Sequence, residues 1–358
     1  MVERTFLGLD VHARSVWAGV LDGVSGEVVS RAAPARVDAL VGWVLGLPAP
    51  VAVAYEAGPT GFGLARALGA CGVRCVVAAP SRIERAPADR VKTDRRDAIR
   101  LARLLRMGEL VGVRVPTVEE EAARDLVRAR EDARGDLMRA RHRLSKLLLR
   151  HGLVWDRSTW TQAHEQWLGQ QRFLQRPLQL AYEEAIAAML SVRDRRDALD
   201  QAILEEALQP QWAAIVGRLG CLRGVSTLTA FGLAVEVGDW QRFTGRSIGA
   251  YLGLVPSEDS SGQRRSQGSI TKTGNTHARR LLVEAAWHQR RPAWRPSPQL
   301  ARRREGQPAA VRIRADEASK RLYRRWRAFD QRGKRPTITA VAVARELAGW
   351  CWSLAIMD

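Results

Sequence analysis

The chain has 358 residues, and its 57 Lys and Arg against 38 Asp and Glu give a formal net charge of +19. This length is enough for two or three domains, each with a core of its own. The positive excess indicates a polyanionic partner. Nucleic acid is favoured over a membrane, because no apolar run reaches the roughly 18 residues of a membrane helix.

The N-terminus and the cysteines narrow the cellular setting. The first residues, MVERTFLGLDVH, lack the basic and then apolar layout of a signal peptide. Four cysteines, at positions 71, 75, 221 and 351, are too few for a disulfide framework in a chain of this length. Cys71 and Cys75 have no second Cys or His pair nearby, which argues against zinc. We therefore expect a cytoplasmic, nucleoid-associated protein.

The first hundred residues alternate between short apolar strands and amphipathic helices. The predicted strands are TFLGLDV, SVWAGVL, GEVVSRA, VAVAYE and VRCVVAAP, and the predicted helices cover about 36–46, 60–70 and the periodic run RRDAIRLARLLR. The resulting order, β-β-β-α-β-α-β-α, is that of the ribonuclease-H-like fold. The competing Rossmann interpretation lacks a G-x-G-x-x-G after the first strand.

The middle of the chain is predicted to be two long helices. Over 117–152, Pro is absent and apolar residues recur with alternating spacings of three and four, a coiled-coil pattern. A second long helix is predicted across 180–207. Together they indicate a helical hairpin or a dimerisation arm. The intervening residues 155–178, which include Trp155, Trp160 and Trp167, match no regular pattern.

The C-terminal half is predicted to be mainly helical. Residues 216–238 resemble a helix-hairpin-helix, in which the turn RGVS leads into a helix and offers backbone N–H groups to phosphate. A polar loop, PSEDSSGQRRSQGSITKTGN, separates two further helices. Residues 301–335 carry a strong excess of Lys and Arg, whose role the sequence leaves open, and a final apolar helix is expected to pack on a neighbouring domain. The predicted domains are 1–115, 116–210, 211–300 and 301–358.

Four acidic residues in the first hundred positions are the strongest chemical signal. Asp10 and Glu56 end predicted strands, while Asp94 and Asp97 share one face of a helix at positions i and i+3. Two-metal phosphoryl transfer uses three or four such carboxylates, and Mg²⁺ prefers oxygen ligands. The ordinary alternative is that acids end strands in turns and that Asp94 is a helix N-cap. Three nearby cations could hold a phosphate backbone, namely Lys92, Arg95 and Arg96.

The polar loop offers a possible nucleophile. A serine beside cations and a metal can attack phosphorus, although a loop that only grips phosphate is the simpler interpretation. No histidine stands beside these serines as a base. The cations expected to contact nucleic acid in and after the loop are Arg264, Arg265, Lys272, Arg279 and Arg280.

With these motifs in their observed order, the chain resembles the DEDD transposases of bacterial insertion sequences, the insertion sequence 110 family, related to the Piv-type DNA invertases. FLGLDVH, YEAGPTG and KTDRRDAIRLARLL resemble the family's RuvC-like catalytic domain. GVSTLTAFGLAVEVGDWQRF, AYLGLVPSEDSSG and ITKTGNTHARRLLVEAAW resemble its C-terminal transposase domain. The resemblance covers nearly the whole chain.

The resemblance implies a mechanism. By position, the family's DEDD carboxylates fall on Asp10, Glu56, Asp94 and Asp97, which would bind Mg²⁺. The family's nucleophilic serine falls on Ser261, with Ser260 as the close alternative, and forms a covalent phosphoserine link to DNA. The resemblance further implies a structured guide (bridge) RNA that pairs with donor and target DNA. It also implies a homo-oligomer, a dimer or tetramer, in which a composite site joins domains of different protomers.

Two other functions remain possible from the residues alone. A hydrolytic, structure-specific nuclease of the RuvC kind would release free DNA ends without a covalent adduct. A non-catalytic nucleic-acid-binding protein would use only the hairpin turn and the basic segment, and would be insensitive to loss of Asp10.

Overall fold

A computed structural model describes residues 3–83, 93–261, 264–292 and 295–357. The chain forms two compact units, Met1–Thr117 and Val118–Asp358. The first unit is mixed α/β and the second is mostly helical, which confirms the coarse fold class expected from the sequence.

The first unit is built on a five-stranded sheet with the order β3-β2-β1-β4-β5. Its elements are β1 Thr5–Val11, β2 Val16–Asp22, β3 Val28–Ala33, α1 Val37–Leu45, β4 Val51–Glu56, α2 Gly63–Ala70, β5 Arg74–Ala78 and α3 Asp94–Met107. β1 pairs antiparallel with β2 and parallel with β4, and β5 continues the parallel half. The element order is the predicted one, and this arrangement is consistent with the RuvC-like interpretation.

Alternation along β1 sends successive side chains to opposite faces of this sheet. Leu7 and Leu9 face a core that includes Leu40 of α1 and Leu64 of α2. Phe6 belongs to the core on the other face, which is formed with Leu105 of α3. Gly8 and Asp10 share the face of Phe6, so the first acidic residue lies on the α3 side of the sheet.

Helix α3 lies directly on the backbone of the sheet, because two paired glycines leave room for it. Gly8 and Gly19 are partners across β1 and β2. A Cβ at Gly8 would lie 2.1 Å from the carbonyl oxygen of Ala98, and one at Gly19 would lie 2.7 Å from the same atom. These distances are far below van der Waals contact, so the helix position depends on both glycines.

The second unit begins with the two long helices. α4 Val118–Arg150 packs against α6 Arg176–Glu206, and α5 Gln162–Gln170 lies between them in the chain. Arg130 on α4 contacts Asp200 near the end of α6, while Leu148 at the end of α4 shares a core with Tyr182 near the start of α6. The pair is therefore an antiparallel hairpin, and the apolar seam of α4 is covered by the same chain.

The region 155–178, which matched no pattern, closes the far end of this hairpin. His164 and Trp167 stack with ring centroids 5.7 Å apart, and Trp160 meets His164 edge-on at 5.0 Å. The Tyr182 hydroxyl donates to the carbonyl of Leu168 at 2.6 Å. Burial of this aromatic surface is what holds a segment without apolar periodicity in place.

The rest of the second unit surrounds one large core. Its elements are α7 Pro210–Gly220, α8 Thr227–Val237, α9 Ser247–Tyr251, β6 Pro256–Ser261, β7 Arg264–Ile270, α10 Thr276–Trp287, α11 Pro298–Arg304, α12 Ala309–Gln331 and α13 Pro336–Ala355. The apolar helix α13 packs against α12 and also against α10, which lies in the predicted neighbouring segment 211–300, and it lines this core. A helix that is apolar on most sides has to be buried.

One prediction for this region needs correction. The polar segment expected to be a loop forms an antiparallel two-stranded hairpin, β6–β7. The basic stretch 301–335, whose role the sequence leaves open, contributes to the main core, where α12 buries Val311, Ala315, Leu322 and Trp326. None of the helices in the described ranges is long and apolar enough to cross a membrane.

Candidate functional site

The first group of candidate residues lies at the carboxyl end of β1. Asp10 is the next-to-last residue of β1, and His12 follows the strand directly. Residues two apart on an extended chain point to the same side, so Asp10 and His12 both lie on the α3 face. The Asp10 carboxylate is mostly buried, with 21% of its side chain exposed, and the imidazole of His12 is half exposed.

Helix α3 brings the second carboxylate to the same place. The close approach of Gly8 to Ala98 fixes the helix against β1. Asp94 lies four residues before Ala98, about 6 Å back along the helix axis, and Asp10 lies about 6.6 Å beyond Gly8 along the strand. The first turn of α3 therefore reaches the end of β1.

Asp94 is not the N-cap of α3, so the N-cap explanation that the sequence offered for it does not apply. Thr93 is the N-cap, and its hydroxyl accepts from the backbone N–H of Arg96 at 3.3 Å. Asp94 is the first residue of the helix, where the positive end of the helix dipole stabilises a carboxylate.

Asp10, His12 and Asp94 converge on one point. The Nε2 atom of His12 lies 3.4 Å from Oδ1 of Asp10 and 3.7 Å from Oδ2 of Asp94. One ligand atom from each of the three lies within 4.8 Å of the others, and within the described ranges no other His, Cys, Asp or Glu group meets this condition. Two carboxylate oxygens and one imidazole nitrogen are a donor set that suits a divalent cation.

The other two predicted carboxylates lie nearby but outside this group. Glu56 ends β4 and is exposed. Leu9 of β1 and Tyr55 of β4 are register partners, so the next residues along the two strands, Asp10 and Glu56, lie at the same level of the sheet. Asp97 is largely buried, and one of its oxygens accepts from Nη1 of Arg100 at 3.2 Å. The structure thus brings Asp10 and Asp94 together, places Glu56 on the adjacent strand, and pairs Asp97 with a guanidinium.

His12 was not assigned a role by the sequence, although a signal for it exists. The motif FLGLDVH places His12 two residues after Asp10, and in a strand that spacing puts both side chains on one face. The sequence interpretation considered only carboxylates, so it missed a nitrogen donor within the same motif.

Two of the three cations predicted around this group lie within the described residues. Arg95 and Arg96 lie in the first turn of α3 and are exposed. Lys92 lies outside the described residues.

The second group of candidate residues lies on the β6–β7 hairpin. Ser261 is the last residue of β6 and pairs in register with Arg264, and Ser260 pairs with Arg265. Ser260 donates from its hydroxyl to Oε1 of Glu258 at 3.0 Å, and the amide of Gln267 donates to the other oxygen of Glu258 at 3.3 Å. Ser261 is exposed, and within the described residues its hydroxyl has no hydrogen-bond partner. The side chains of Arg264 and Arg265 lie outside the described part.

The base of this hairpin is a tight crossing of two backbone segments. A Cβ at Gly274 would lie 1.9 Å from the carbonyl oxygen of Tyr251, and one at Gly253 would lie 2.3 Å from that of Thr273. Both glycines also have positive φ, 69° and 64°. Only glycine fits these positions, so the sequence fixes where the hairpin leaves the helical core.

Arg279 clamps the same crossing. Its Nη1 donates to the carbonyl of Leu252 at 2.9 Å and to that of Thr273 at 2.8 Å, and the residue is 9% exposed. Burial lowers the pKa of Arg279. The structure gives Arg279 an internal setting that differs from the predicted contact with a DNA backbone.

The remaining predicted cations of this region have different settings. Arg280 forms ion pairs with Glu131 of α4 and, at 2.7 Å, with Glu284. Lys272 is exposed beside the base of the hairpin and has a positive φ of 56°. Lys272 therefore remains exposed at the hairpin, whereas Arg280 is paired with acids.

A buried carboxylate ties the hairpin base to the long helices. Glu236 of α8 is 1% exposed and accepts from Nε and Nη2 of Arg128 on α4 at 3.1 and 3.2 Å. Asn275, the N-cap of α10, donates to Glu236 at 2.6 Å. Burial raises the pKa of Glu236, but the hydrogen bonds from Arg128 and Asn275 outweigh burial and hold the pKa below its ordinary value.

Comparisons with known proteins match both groups of residues. A DEDD transposase model of the IS110 group matches residues 7–152, which include the four carboxylates. A model described as transposase of the IS116/IS110/IS902 family matches residues 217–299, which include the serine hairpin. A putative transposase, y4qE, of Sinorhizobium fredii is 40% identical over 99% of this chain and 89% of its own length. The chain belongs to the IS110 family of transposases.

Further relatives agree with this placement. The transposase for insertion sequence element IS1533 of Leptospira borgpetersenii is 33% identical over 94% of this chain and 99% of its own length. The transposase for insertion sequence element IS1111A of Coxiella burnetii is 29% identical over about half of each chain, 54%. The transposase is therefore an enzyme of DNA transposition, and a group of acidic residues fit for a divalent metal lies in its DEDD domain.

Proposed function

We propose that this transposase cuts and rejoins the DNA of an insertion sequence through a phosphoserine intermediate, with Mg²⁺ held by the carboxylates of its first unit. The observation that carries the proposal is the convergence of Asp10 and Asp94 with His12. The proposal is also supported by a serine in the same chain. This serine ends an exposed strand of a hairpin whose base is held in place by two glycines.

The proposed reaction exchanges one phosphodiester bond for a phosphoserine bond. The hydroxyl oxygen of Ser261 forms a bond to phosphorus as the bond from phosphorus to a sugar oxygen of the DNA breaks. The serine proton passes to solvent or to a neighbouring carboxylate, and the departing sugar oxygen takes a proton. Attack by a DNA hydroxyl on the phosphoserine reverses these bond changes, so strands are rejoined without an external energy source.

The carboxylates have the role of holding the metal. Asp10 and Asp94 would supply oxygen ligands and His12 a nitrogen ligand, with Glu56 and Asp97 completing the family's DEDD set. A divalent ion held by these residues would supply a positive charge that polarises the phosphate and stabilises the attacking and leaving oxygens. Exposed Arg95 and Arg96 are placed to hold the DNA backbone beside these ligands.

Guidance by a structured RNA is part of the proposal. It rests on the resemblance to the family and on the net charge of +19, which suits a protein that holds both RNA and DNA. In such an arrangement base pairing reads the sequence and the protein reads backbone and shape. A homo-oligomer in which the serine and the carboxylates of one reaction come from different protomers completes the proposal.

The decisive experiment looks for the covalent adduct. The protein is incubated with element-junction DNA, the element's RNA and Mg²⁺, and the products are separated by denaturing electrophoresis. We expect an adduct that EDTA abolishes. Ser261→Ala should lower its yield on the order of a thousandfold or more, as loss of a nucleophile does. Ser269→Ala, an exposed serine on the opposite strand of the hairpin, is the matched control and should leave the adduct unchanged.

The same experiment separates the alternatives. If Ser260→Ala abolishes the adduct and Ser261→Ala does not, the nucleophile is Ser260, whose hydroxyl already donates to Glu258. Free cleaved ends without an adduct would indicate a hydrolytic nuclease of the RuvC kind. Activity that survives Asp10→Asn and the double serine substitution would overturn the proposal.

A further inference from the structure

A cavity of about 680 Å³ lies within the second unit, and none of the described residues that line it belongs to the serine hairpin. It is lined by the α7–α8 turn, the end of α10, α11 and the middle of α12. The lining therefore includes the RGVS turn and the basic stretch, two sequence features that the proposed phosphoserine chemistry does not use. The volume is in the range of ordinary ligand-binding sites.

The cavity has a strong excess of positive charge. Five cationic side chains line it against two acidic ones, and the cations are Arg223, Arg295, Arg303, Arg304 and Lys320. Both acids are already paired: Asp316 accepts from Arg304 at 2.8 Å, and Glu284 accepts from Arg280, a residue outside the lining, at 2.7 Å. Within the described residues, the other four cations form no ion pair.

Three backbone carbonyls at the end of α7 and in the turn already accept side-chain hydrogen bonds. Arg303 donates to Gly220 at 3.1 Å, Arg304 to Cys221 at 3.0 Å, and Gln289 to Arg223 at 2.9 Å. The hydroxyls of Ser226 and Thr229, 3.0 Å apart, are also in the lining. The lining thus combines cations and hydroxyls, whose N–H and O–H groups are of the kind that donates to phosphate, although Nη1 of Arg223 already donates to the carbonyl of Arg291.

Two of these cations, Arg303 and Arg223, are partly buried, and neither forms an ion pair within the described residues. Burial lowers the pKa of Arg303, and it also lowers the pKa of Arg223. Arg303 donates to the backbone carbonyls of Gly220 and Gln299, which accept hydrogen bonds but carry no net charge. A partly desolvated guanidinium is stabilised by a nearby anion, because the attraction between opposite charges grows as water is excluded.

We propose that this cavity binds a phosphate group of a nucleic-acid backbone. The site is separate from the serine and from the carboxylates, and its ligand class is the phosphodiester shared by DNA and RNA. Arg223, Arg303 and Lys320 would contact the phosphate oxygens, and Arg295 would hold the adjoining sugar–phosphate at the rim. The basic segment 301–335 thus contributes both to the core, through Trp326, and to nucleic-acid binding, through Lys320.

The test measures binding with catalysis switched off. The full chain is titrated in EDTA against two fluorescent probes, a DNA duplex and an RNA hairpin, at several salt concentrations. The variant Arg295→Gln/Lys320→Gln removes two exposed cations of the cavity. We expect the slope of log K against log salt to shrink by about one to two and affinity to fall about tenfold or more for at least one probe. Lys320→Arg in place of Lys320→Gln should restore half of the lost slope.

The control removes the same two residue types elsewhere in the unit. Arg332 and Lys334 are exposed in the turn that follows α12, and Arg332 is about 18 Å along the helix from Lys320. Arg332→Gln/Lys334→Gln should change the slope by much less than the cavity variant. The proposal is overturned if the two double variants lose the same slope, or if the cavity variant binds both probes as the unaltered protein does. The outcome does not depend on the phosphoserine chemistry, because no strand is cut in EDTA.

Discussion

At the residue scale, an imidazole lies within the group of carboxylates that we propose to hold the metal. Carboxylates alone form a hard oxygen site that suits Mg²⁺. His12 adds a nitrogen donor 3.4 Å from Asp10 and 3.7 Å from Asp94. Imidazole favours Mn²⁺ and later transition metals over Mg²⁺, so His12 should broaden the metal preference of the site.

Replacement of His12 by alanine should therefore weaken Mn²⁺ binding more than Mg²⁺ binding. We expect a loss of Mn²⁺ affinity of about tenfold to a hundredfold, in the range seen when groups around a metal are removed. Mg²⁺ affinity should change by less, because oxygen ligands dominate its coordination. Free Mn²⁺ can be followed by electron paramagnetic resonance, and Mg²⁺ by its competition with Mn²⁺.

His142→Ala is the matched control for this measurement. His142 is exposed on α4, in the other unit of the chain. Its removal should leave both affinities unchanged. Equal Mn²⁺ affinity in His12→Ala and the unaltered protein would show that the imidazole is not a ligand.

At the scale of the element, helix α3 places Asp94 and Asp97 beside β1. The position of this helix depends on the paired glycines of the sheet that it packs against. Gly8→Ala would place a Cβ 2.1 Å from the carbonyl oxygen of Ala98 and 2.5 Å from the backbone nitrogen of Ala102. Neither atom can move without displacing the helix. We expect a loss of about 3 kcal/mol in the free energy of unfolding, at the upper end of overpacking costs. Metal binding should fall with it.

A glycine in a free setting provides the comparison. A Cβ at Gly42, in α1, would meet nothing within 4 Å. Gly42→Ala should raise stability by about 0.5–1 kcal/mol, because alanine loses less backbone entropy in a helix. Urea denaturation measures both variants. If Gly8→Ala is as stable as the unaltered protein and still binds metal, the helix is not fixed by this contact.

The buried Glu236 makes a pH-dependent connection between α8, α4 and α10. Its folded-state pKa lies below the ordinary 4.5. A group of this kind adds stability that is present above about pH 4.5 and is lost as the pH falls through the folded pKa. Glu236→Gln should cost about 1–2 kcal/mol at neutral pH, because a charge-assisted hydrogen bond from half-exposed Arg128 is weakened.

The measurement is the difference in unfolding free energy between Glu236→Gln and the unaltered protein. This difference should shrink as the pH is lowered below about 4.5, because the unaltered protein then loses its charged carboxylate as well. Glu305→Gln, a change at an exposed glutamate, should have little effect throughout. A difference that stays constant with pH would show that folding does not lower the pKa of Glu236.

How far the sequence predicted these elements depended on which faces are buried. The central strands of the first unit, β1 and β4, were predicted correctly because a strand covered on both faces needs a continuous apolar run such as VAVAYE. The β6–β7 hairpin was predicted to be a loop because most residues of β6, such as Ser260, are exposed. A strand without a buried face has no apolar alternation to detect.

The basic stretch 301–335 contains the apolar pattern of an amphipathic helix, which its high arginine content concealed. Val311, Ala315, Ala318, Leu322 and Trp326 are buried and recur at spacings of three and four, the stripe of an amphipathic helix. The many arginines between them drew attention to charge, although long arginine side chains can border a core. The sequence did not predict that Asp94 lies close to His12 for a different reason. This proximity depends on how α3 packs against β1.

At the scale of the whole molecule, the carboxylates and the serine belong to different compact units, each with its own core. A sequence motif or a unit taken alone therefore holds only half of the proposed chemistry. If both halves act on one phosphodiester, the remaining question is whether one chain supplies both. A mixing experiment answers it without any assumption about geometry.

Asp10→Asn and Ser261→Ala should each abolish adduct formation when tested alone. When the two variants are mixed and allowed to exchange subunits, we expect activity to return. In a dimer with random exchange, half of the assemblies contain both variants. If the serine and the carboxylates of a site come from different protomers, one of the two sites in each mixed dimer is intact. The recovered adduct should then approach about a quarter of the wild-type yield.

The opposite result is equally informative. If each site takes its serine and its carboxylates from one chain, every site in the mixture carries one of the two substitutions and no adduct forms. A mixture of Asp10→Asn with Asp94→Asn is the control, because both changes fall in the same unit and leave no intact set of carboxylates in any arrangement. Recovery in the first mixture and not in the second would show that the transposase needs two chains to complete one reaction.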